Sequence, residues 1–556
     1  VKFDKLTRND AGDDVTPRTR EDWEGWVSAT KLRGYLIGNT LGDWLDLHGM
    51  AHGFVRDDRC QGYDERLDFF RFVADQGVAF EDAVAAYLAD RSDLIRVGAS
   101  GLDSQDFDKA KETLSALADG REIVHQAILL NPANGTYGAP DFLVRSDVFE
   151  RLFPDHLEPG EAARPAPELN RPWHYLVLDA KFTKLRLGKG RKNVLNRGSS
   201  TPAYKGQLFV YNAALARLQG YAPPRAFLIG RGYEHKYTRK KQKLEMHSDV
   251  AVERLGPVSM EDDLREKTTE AAEWIRRLRR EGRGWSPLPE PSVPELEPPR
   301  NASAPWNHAI RSIARQRREA IHPDPPGPAL LPERVTVEED RWRESPPLEF
   351  FVDFETVNDL NDDFGAFPQA GGQAMIFMIG CGHVEDGAWH FRCFVAERLD
   401  AAGEARIVEA WLDHMDALGR RLSVEEPRIF HWADAERAWY DSARDRNQGE
   451  GWRDLNLFDL HKRVFKAEPV FVCGAHDLGL KTVAKALHSR GLIETSWDDS
   501  KVDGQGAMVG AWRCDEEARR KGIRLADTEL MAEIEEYNEV DCRVMWEILD
   551  YLRQHH

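Results

Sequence analysis

Cysteine is scarce: Cys60, Cys381, Cys393, Cys473, Cys514 and Cys542 are scattered over 556 positions with no CxxC pair. That spacing excludes a disulfide framework and a thiolate metal cluster, and leaves reduced thiols as the expectation. Long apolar runs are missing too. The longest are strand-sized, well short of the roughly 20 residues that span a bilayer, and the acidic, broken first stretch carries no signal-peptide pattern. No membrane association and a cytoplasmic location are therefore expected. No stretch repeats at a fixed period, which excludes a solenoid or propeller. Nor is positive charge in excess. The formal net charge of −19 argues against bulk attraction to phosphate backbones, although carboxylate-rich sites and local basic patches escape that argument.

What is present is ordinary for a folded protein: 41% hydrophobic and 31% charged residues, too apolar for a disordered chain. The length exceeds what one core supports, so two or three domains are expected. A proline-rich stretch from Trp285 to Pro299, a basic helical piece and a second proline cluster from Pro323 to Pro332 read as a connector. Before it, helical patterns over residues 23–120 lead into short strands and an Ala-rich helix near Gln207. After it, strands come first and long helices last. The chain is thus expected to be α/β, with mixed sheets flanked by helices, in a domain over residues 20–284, a connector over 285–345 and a domain over 346–556.

Two segments place acids where a core should be. In His174-Tyr-Leu-Val-Leu-Asp-Ala-Lys-Phe182, a strand-like run, period-two alternation puts Val177, Asp179 and Lys181 on one face. Upstream, Gly138-Ala-Pro-Asp141 lies between the apolar runs Ile128-Leu-Leu130 and Phe142-Leu-Val144, as for a strand pair with an acid near its turn. Two carboxylates can hold a hard divalent cation, and a neighbouring lysine can orient water and stabilise a phosphate. A surface ion pair beside a turn acid is the alternative that spacing alone leaves open. In Glu349-Phe-Phe-Val-Asp-Phe-Glu-Thr356, Asp353 and Glu355 share one side of a strand and Phe350, Val352 and Phe354 the other. Adjacent carboxylates in such a strand repel one another unless a cation lies between them. In the last helix Leu530, Ile534, Tyr537, Asp541, Val544, Ile548 and Leu552 follow steps of three and four, which puts Asp541 inside the apolar stripe with Tyr537 one turn before it. That tyrosine hydroxyl is placed to position a water.

The motifs "GAPD", "LDAK" and "QLFVY" resemble, in order and spacing, the PD-(D/E)XK nucleases of the RecB family. The resemblance implies a restriction-endonuclease-like fold with Asp141 and Asp179 as metal ligands and Lys181 as a catalytic lysine. Gln207 and Tyr211, four apart on one helix face, would support the site. It also implies an acid from an earlier helix, for which Glu81 in "GVAFEDAVAAYL" is the candidate. The opening "SATKLRGYLIGNTLGDWLDLHG" is similar to the start of such nucleases, some of which place an iron-sulfur cysteine near the position of Asn39. Here Cys60 is the sole cysteine of this half, so no iron-sulfur cluster is expected.

The later motifs, "DFET" and "YNEVDC", resemble the RNase H-like DEDD exonucleases of YprB type over roughly residues 348–556. That implies metal ligation by Asp353, Glu355 and Asp541, with Tyr537 catalytic. "HWADAE" gives His431 followed by Glu436, a longer ligand than the family's usual aspartate, with Asp459 in "LFDLHKRV" further on. Lys481 in "DLGLKTVAKAL" matches a substrate-facing basic residue. Together the resemblances imply a Mg2+ or Mn2+ nuclease with two sites, leaving 5′-phosphate and 3′-hydroxyl ends. DNA is favoured over RNA, single strands or DNA ends as substrate, and a role in repair or in defence against mobile DNA. No Walker A loop is present, so any helicase motor is a partner. The rivals are one catalytic domain with the other a substrate clamp, and a catalytically silent scaffold.

Cys381, His383, His390 and Cys393 have a zinc-like composition, but the segment reads as a hairpin turning at Asp386-Gly387. His390 and Cys393, an odd number apart, then project to opposite faces, and no zinc is expected. Basic runs occur at Lys181–Arg197, His235–Lys243 and Arg276–Arg283. A charge run is usually a solvated face, but beside a phosphodiesterase site these suit a backbone-tracking groove, with Lys184 and Lys205 as contacts.

Overall fold

The computed structural model describes residues 3–99, 101–188, 194, 200–239, 242–299, 305–321, 328–447, 451–497 and 502–556. The chain forms two compact units, one of residues 1–60, 73–320 and 362–371, the other of residues 61–72, 321–361 and 372–556. Both are mixed α/β, with sheets flanked by helices. Among the described residues no helix is long and apolar enough to cross a membrane.

The first unit is built on a seven-stranded sheet of β1 (Leu94–Arg96), β2 (Ile123–His125), β3 (Phe142–Arg145), β4 (Tyr175–Arg186), β5 (Arg225–Arg239), β6 (Gln242–Ser248) and β7 (Gly256–Ser259). The order is β7-β5-β4-β3-β2-β1, with β6 on β5. Strand β4 is antiparallel to β3 and parallel to β5. Alternation divides the strands between two cores. Phe142, Leu178 and Phe227 meet Phe80, Val84 and Leu88 of α1 (Phe69–Ala89). Leu143, Val177 and Leu228 share the other core with Leu208, Tyr211 and Leu215 of α2 (Thr201–Gln219) and Leu278 of α3 (Asp262–Glu281). Helix α2 starts with Pro202 in its first turn and ends on Gly220 in the left-handed conformation, the expected punctuation of a helix.

One expectation changes here. The run Ile128–Leu130 does not partner Phe142–Val144. Leu129–Asn131 folds back on Thr136–Gly138 in a separate three-stranded sheet, because the short turn through Gly135, at φ +61°, closes a local loop. The segment read as a connector, residues 285–345, divides between the two units. Trp285, Leu296, Trp306, Ile310 and Ile313 are buried in the first unit's core, and the chain from Ile321 belongs to the second unit. Residues 300–304 and 322–327, the latter including the first half of the second proline cluster, lie outside the described residues. Three indoles tie this segment and α3 to the helix Thr40–His48: Trp44 donates to Gly282 O at 2.8 Å, Trp274 to Asp43 at 2.9 Å and Trp306 to Asp46 at 2.8 Å.

The second unit has a five-stranded sheet, β8 (Glu349–Val357), β9 (Met375–Glu385), β10 (Ala388–Val395), β11 (Arg428–His431) and β12 (Leu457–Asp459), in the order β10-β9-β8-β11-β12. Neighbours β8, β9 and β10 are antiparallel, and β8, β11 and β12 run parallel. The helices are α4 (Ala401–Leu422), α5 (Ala435–Arg446), α6 (Leu480–His488), α7 (Gly504–Lys521) and α8 (Glu529–His555). Phe350 and Val352 share a core with Ile407, Trp411 and Met415 of α4. The opposite face of β8 is crossed by α8. Leu67 packs on Gly506 and Gly510 of α7, and Phe72 stacks on Trp512 at 4.4 Å, which explains why residues 61–72 belong to this unit.

Candidate functional site

In the first unit β3 and β4 bring Asp141 and Asp179 side by side. The Asp141 amide donates to Asp179 Oδ1 at 3.4 Å, and the Ala180 amide donates to Asp141 Oδ2 at 2.7 Å. Lys181 Nζ lies 2.5 Å from Asp179 Oδ2 and 3.9 Å from Asp141 Oδ2. Burial, then the Asp179 charge, pushes the Asp141 carboxyl well above its usual range. Burial opposes the Lys181 charge, but Asp179 and Asp141 more than offset it and hold the ammonium protonated. The buried Tyr211 hydroxyl is raised by burial and by Asp179, and Gln207 is half-buried on the same helix. Gly138 is required by Tyr211: a Cβ at this glycine would lie 2.5 Å from the tyrosine ring. Glu81 on α1 hydrogen-bonds His125 at 3.0 Å and accepts from Gln126. Burial works against its carboxylate, yet these hydrogen bonds hold its pKa below the ordinary value.

In the second unit Asp353, Glu355 and Asp541 each bring a carboxylate oxygen within 4.8 Å of the others, a grouping able to hold a metal ion. Burial, then the neighbouring Asp541, raises Asp353 well above the usual carboxylate range and Glu355 to about 8. Burial pushes Asp541 up to about 6 against the opposing charge of Lys481. Tyr537 lies beside Asp541, and its hydroxyl is raised by burial first and by the Asp541 charge second. Lys481, in the first turn of α6, holds Nζ 4.3 Å from the centroid of the Tyr537 ring and 5.6 Å from that of Trp497. Trp497 in turn donates to Asp541 Oδ1 at 3.0 Å.

Glu436 is not in the close group. It sits in the first turn of α5, buried, 3.0 Å from His431 Nδ1, although its charge is felt by all three acids. His431 Nδ1 also donates to Ala433 O at 2.6 Å, and a carbonyl only accepts, so this nitrogen carries the proton. Asp459 serves the same turn, accepting from the amides of Ala433 at 3.0 Å and Lys462 at 2.9 Å. Sequence reasoning missed Asn538, His125 and Trp497. Asn538 lay within reach, because it is three residues before Asp541 on the buried face of α8. Trp497 lies in irregular chain and gave no periodic signal.

The basic residues expected to touch substrate are largely engaged within the chain. Lys184 pairs with Asp249 at 2.8 Å and Lys205 donates to Val194 O. Arg276 donates to Gly25 O at 3.0 Å and Arg279 to Trp26 O at 2.7 Å, so these two members of the third run staple the first unit. Residues 189–193, 195–197 and 240–241 of the other two runs lie outside the described residues. In the hairpin with positive φ at Asp386 and Gly387, His383 faces His390 and Gly380 faces Cys393 across the strands, so the four zinc-like residues divide between the two faces. Comparison with protein-family models, curated proteins and solved structures returns no match.

Proposed function

We propose that the chain is a divalent-metal-dependent nuclease with two sites: a PD-(D/E)XK restriction-endonuclease-like domain around Asp141, Asp179 and Lys181, and an RNase H-like DEDD exonuclease domain around Asp353, Glu355 and Asp541. The observation that carries this reading is the convergence of Asp353, Glu355 and Asp541 within 4.8 Å on a strand and helix otherwise committed to a core. Three ionised carboxylates so confined repel one another and lose hydration, and their all-oxygen donor set fits Mg2+ or Mn2+. When bound, such a cation supplies positive charge that activates water and offsets charge developing on a phosphate. Beside it, Tyr537 is placed to orient the attacking water and Lys481 to meet a phosphate oxygen. The sheet is compatible with this reading: counted from β8, its order is 3-2-1-4-5 with one antiparallel strand, a mixed sheet flanked by helices as the resemblance implies. In the first unit, Asp179 and Lys181 on a central strand, Asp141 beside them and Glu81 near by fit the other motif.

The test uses end-labelled and circular DNA and RNA, single-stranded and duplex, with Mg2+ or Mn2+, and EDTA as the blank. Wild type is compared with Lys181→Ala, Asp353→Ala and the double variant. Cleavage of circles lost with Lys181→Ala, and end-trimming lost with Asp353→Ala, is the expected result. Cleavage that persists in the double variant, or intact substrate throughout, overturns the two-site reading, and intact substrate favours a scaffold that recruits a helicase. A second reading makes the first site a substrate clamp. It is favoured by the close Lys181–Asp179 ion pair, and it predicts that circles survive while Lys181→Ala weakens binding.

A further inference from the structure

Asn538 is fully buried on α8, one turn before Asp541, with its amide against the acidic group. Its Nδ2 donates to Asp353 Oδ2 at 2.7 Å and to the Asp353 carbonyl at 3.3 Å. The Asp353 backbone carbonyl can only accept, so the nitrogen end must face that residue. The oxygen end is then turned away, and among the described residues Oδ1 has no hydrogen-bond partner. It sits against β9 at Gly380, where a Cβ would lie 1.8 Å from it. Leaving a buried amide oxygen unpaired costs about 1–3 kcal/mol, which packing alone does not explain, since an apolar side chain would avoid that penalty.

We propose that Asn538 is a positioning residue: its amide fixes Asp353 in the orientation that receives the cation, and the missing side chain at Gly380 is the seat that allows it. The inference rests on the metal-dependent reading of the second site. Without this donor, Asp353 would turn away from Glu355 and Asp541 under mutual repulsion, and binding the cation would have to reverse that motion. With the amide in place this ligand is set beforehand. Groups that hold metal ligands from behind typically carry about 10- to 100-fold in metal affinity.

The test is Mn2+ binding to the full chain, by titration of free Mn2+ in electron paramagnetic resonance, with attention to the class of sites that Asp353→Asn removes. Asn538→Ala and Gly380→Ala should each weaken that class about tenfold. The double variant should bind no worse than Asn538→Ala alone, because both changes act through one amide. Asn538→Leu, similar in size and without a donor, should show the same loss if Gly380→Ala does not fold. Variants that melt at a lower temperature but bind Mn2+ as wild type does would overturn the proposal by reducing Asn538 to a structural role. Additive losses in the double variant would overturn the part assigned to Gly380. A wild type with no Mn2+ class sensitive to Asp353→Asn refutes the metal reading itself, a different result from either.

Discussion

Glu355 illustrates what burying like charges does to a single residue. Its carboxyl is pushed from 4.5 to about 8, by burial first and by Asp541 second. Below about pH 4 both folded and unfolded chains hold this proton. Between 4.5 and 8 the unfolded chain releases it while the fold retains it, so without metal the contribution of Glu355 to stability declines as pH rises through that window. Glu355→Gln should therefore raise the metal-free melting temperature at pH 8, by about 3 °C or more for a change above 1 kcal/mol, and leave it nearly unchanged at pH 4. Adding Mg2+ should reverse the order at pH 8, and a variant that melts like wild type at both pH values would contradict the assignment. These acids were legible in the sequence because charge interrupting an apolar period is itself the anomaly. Asn538 was not read as a site residue, although it shares that period, because a buried amide looks unremarkable until its partners are known.

Individual elements owe their placement to close approaches that single substitutions can probe. Gly138 ends a short strand where the Tyr211 ring leaves no room for a Cβ. Gly138→Ala should therefore destabilise the first unit by about 1–3 kcal/mol through overpacking, measured by denaturant unfolding, and reduce any Lys181-dependent cleavage. Helix α3 makes the opposite point. Its arginines read as a patch for nucleic acid, yet Arg276 and Arg279 satisfy backbone carbonyls of Gly25, Asn134 and Trp26. Arg276→Ala and Arg279→Ala should lower the melting temperature while leaving the salt dependence of any nucleic-acid binding unchanged, because a lost phosphate contact would reduce that slope. Strand β4 was recognisable from its alternation, and so were the shared faces of Asp179 and Lys181. Its partners were not, since pairing is decided between residues apart in the chain, and the upstream apolar run pairs with Thr136–Gly138 in another sheet.

At the scale of the whole chain, the division into two units predicts two separable responses. Calorimetry should resolve two transitions, and Mg2+ at about 100 times its dissociation constant should stabilise the unit holding Asp353, Glu355 and Asp541 by about 2.7 kcal/mol. Asp353→Asn should abolish that shift; a shift that survives the substitution would place the metal elsewhere. The sequence by itself determined the α/β class, the two acid-bearing strands, the helix carrying Tyr537 and Asp541, and the absence of a cysteine framework. Each of these is written in local periodicity or in composition, which a backbone with fixed periods of 2.0 and 3.6 must obey. The tertiary structure alone decided that residues 61–72 and 362–371 belong to the units they do not adjoin in sequence, and that the tryptophans of the proline-rich stretch enter a core. It alone decided that Glu436 is held by His431 while Asp353, Glu355 and Asp541 converge. Those outcomes depend on contacts between residues far apart in the chain, where shape and hydrogen-bond satisfaction choose the partner and local sequence does not.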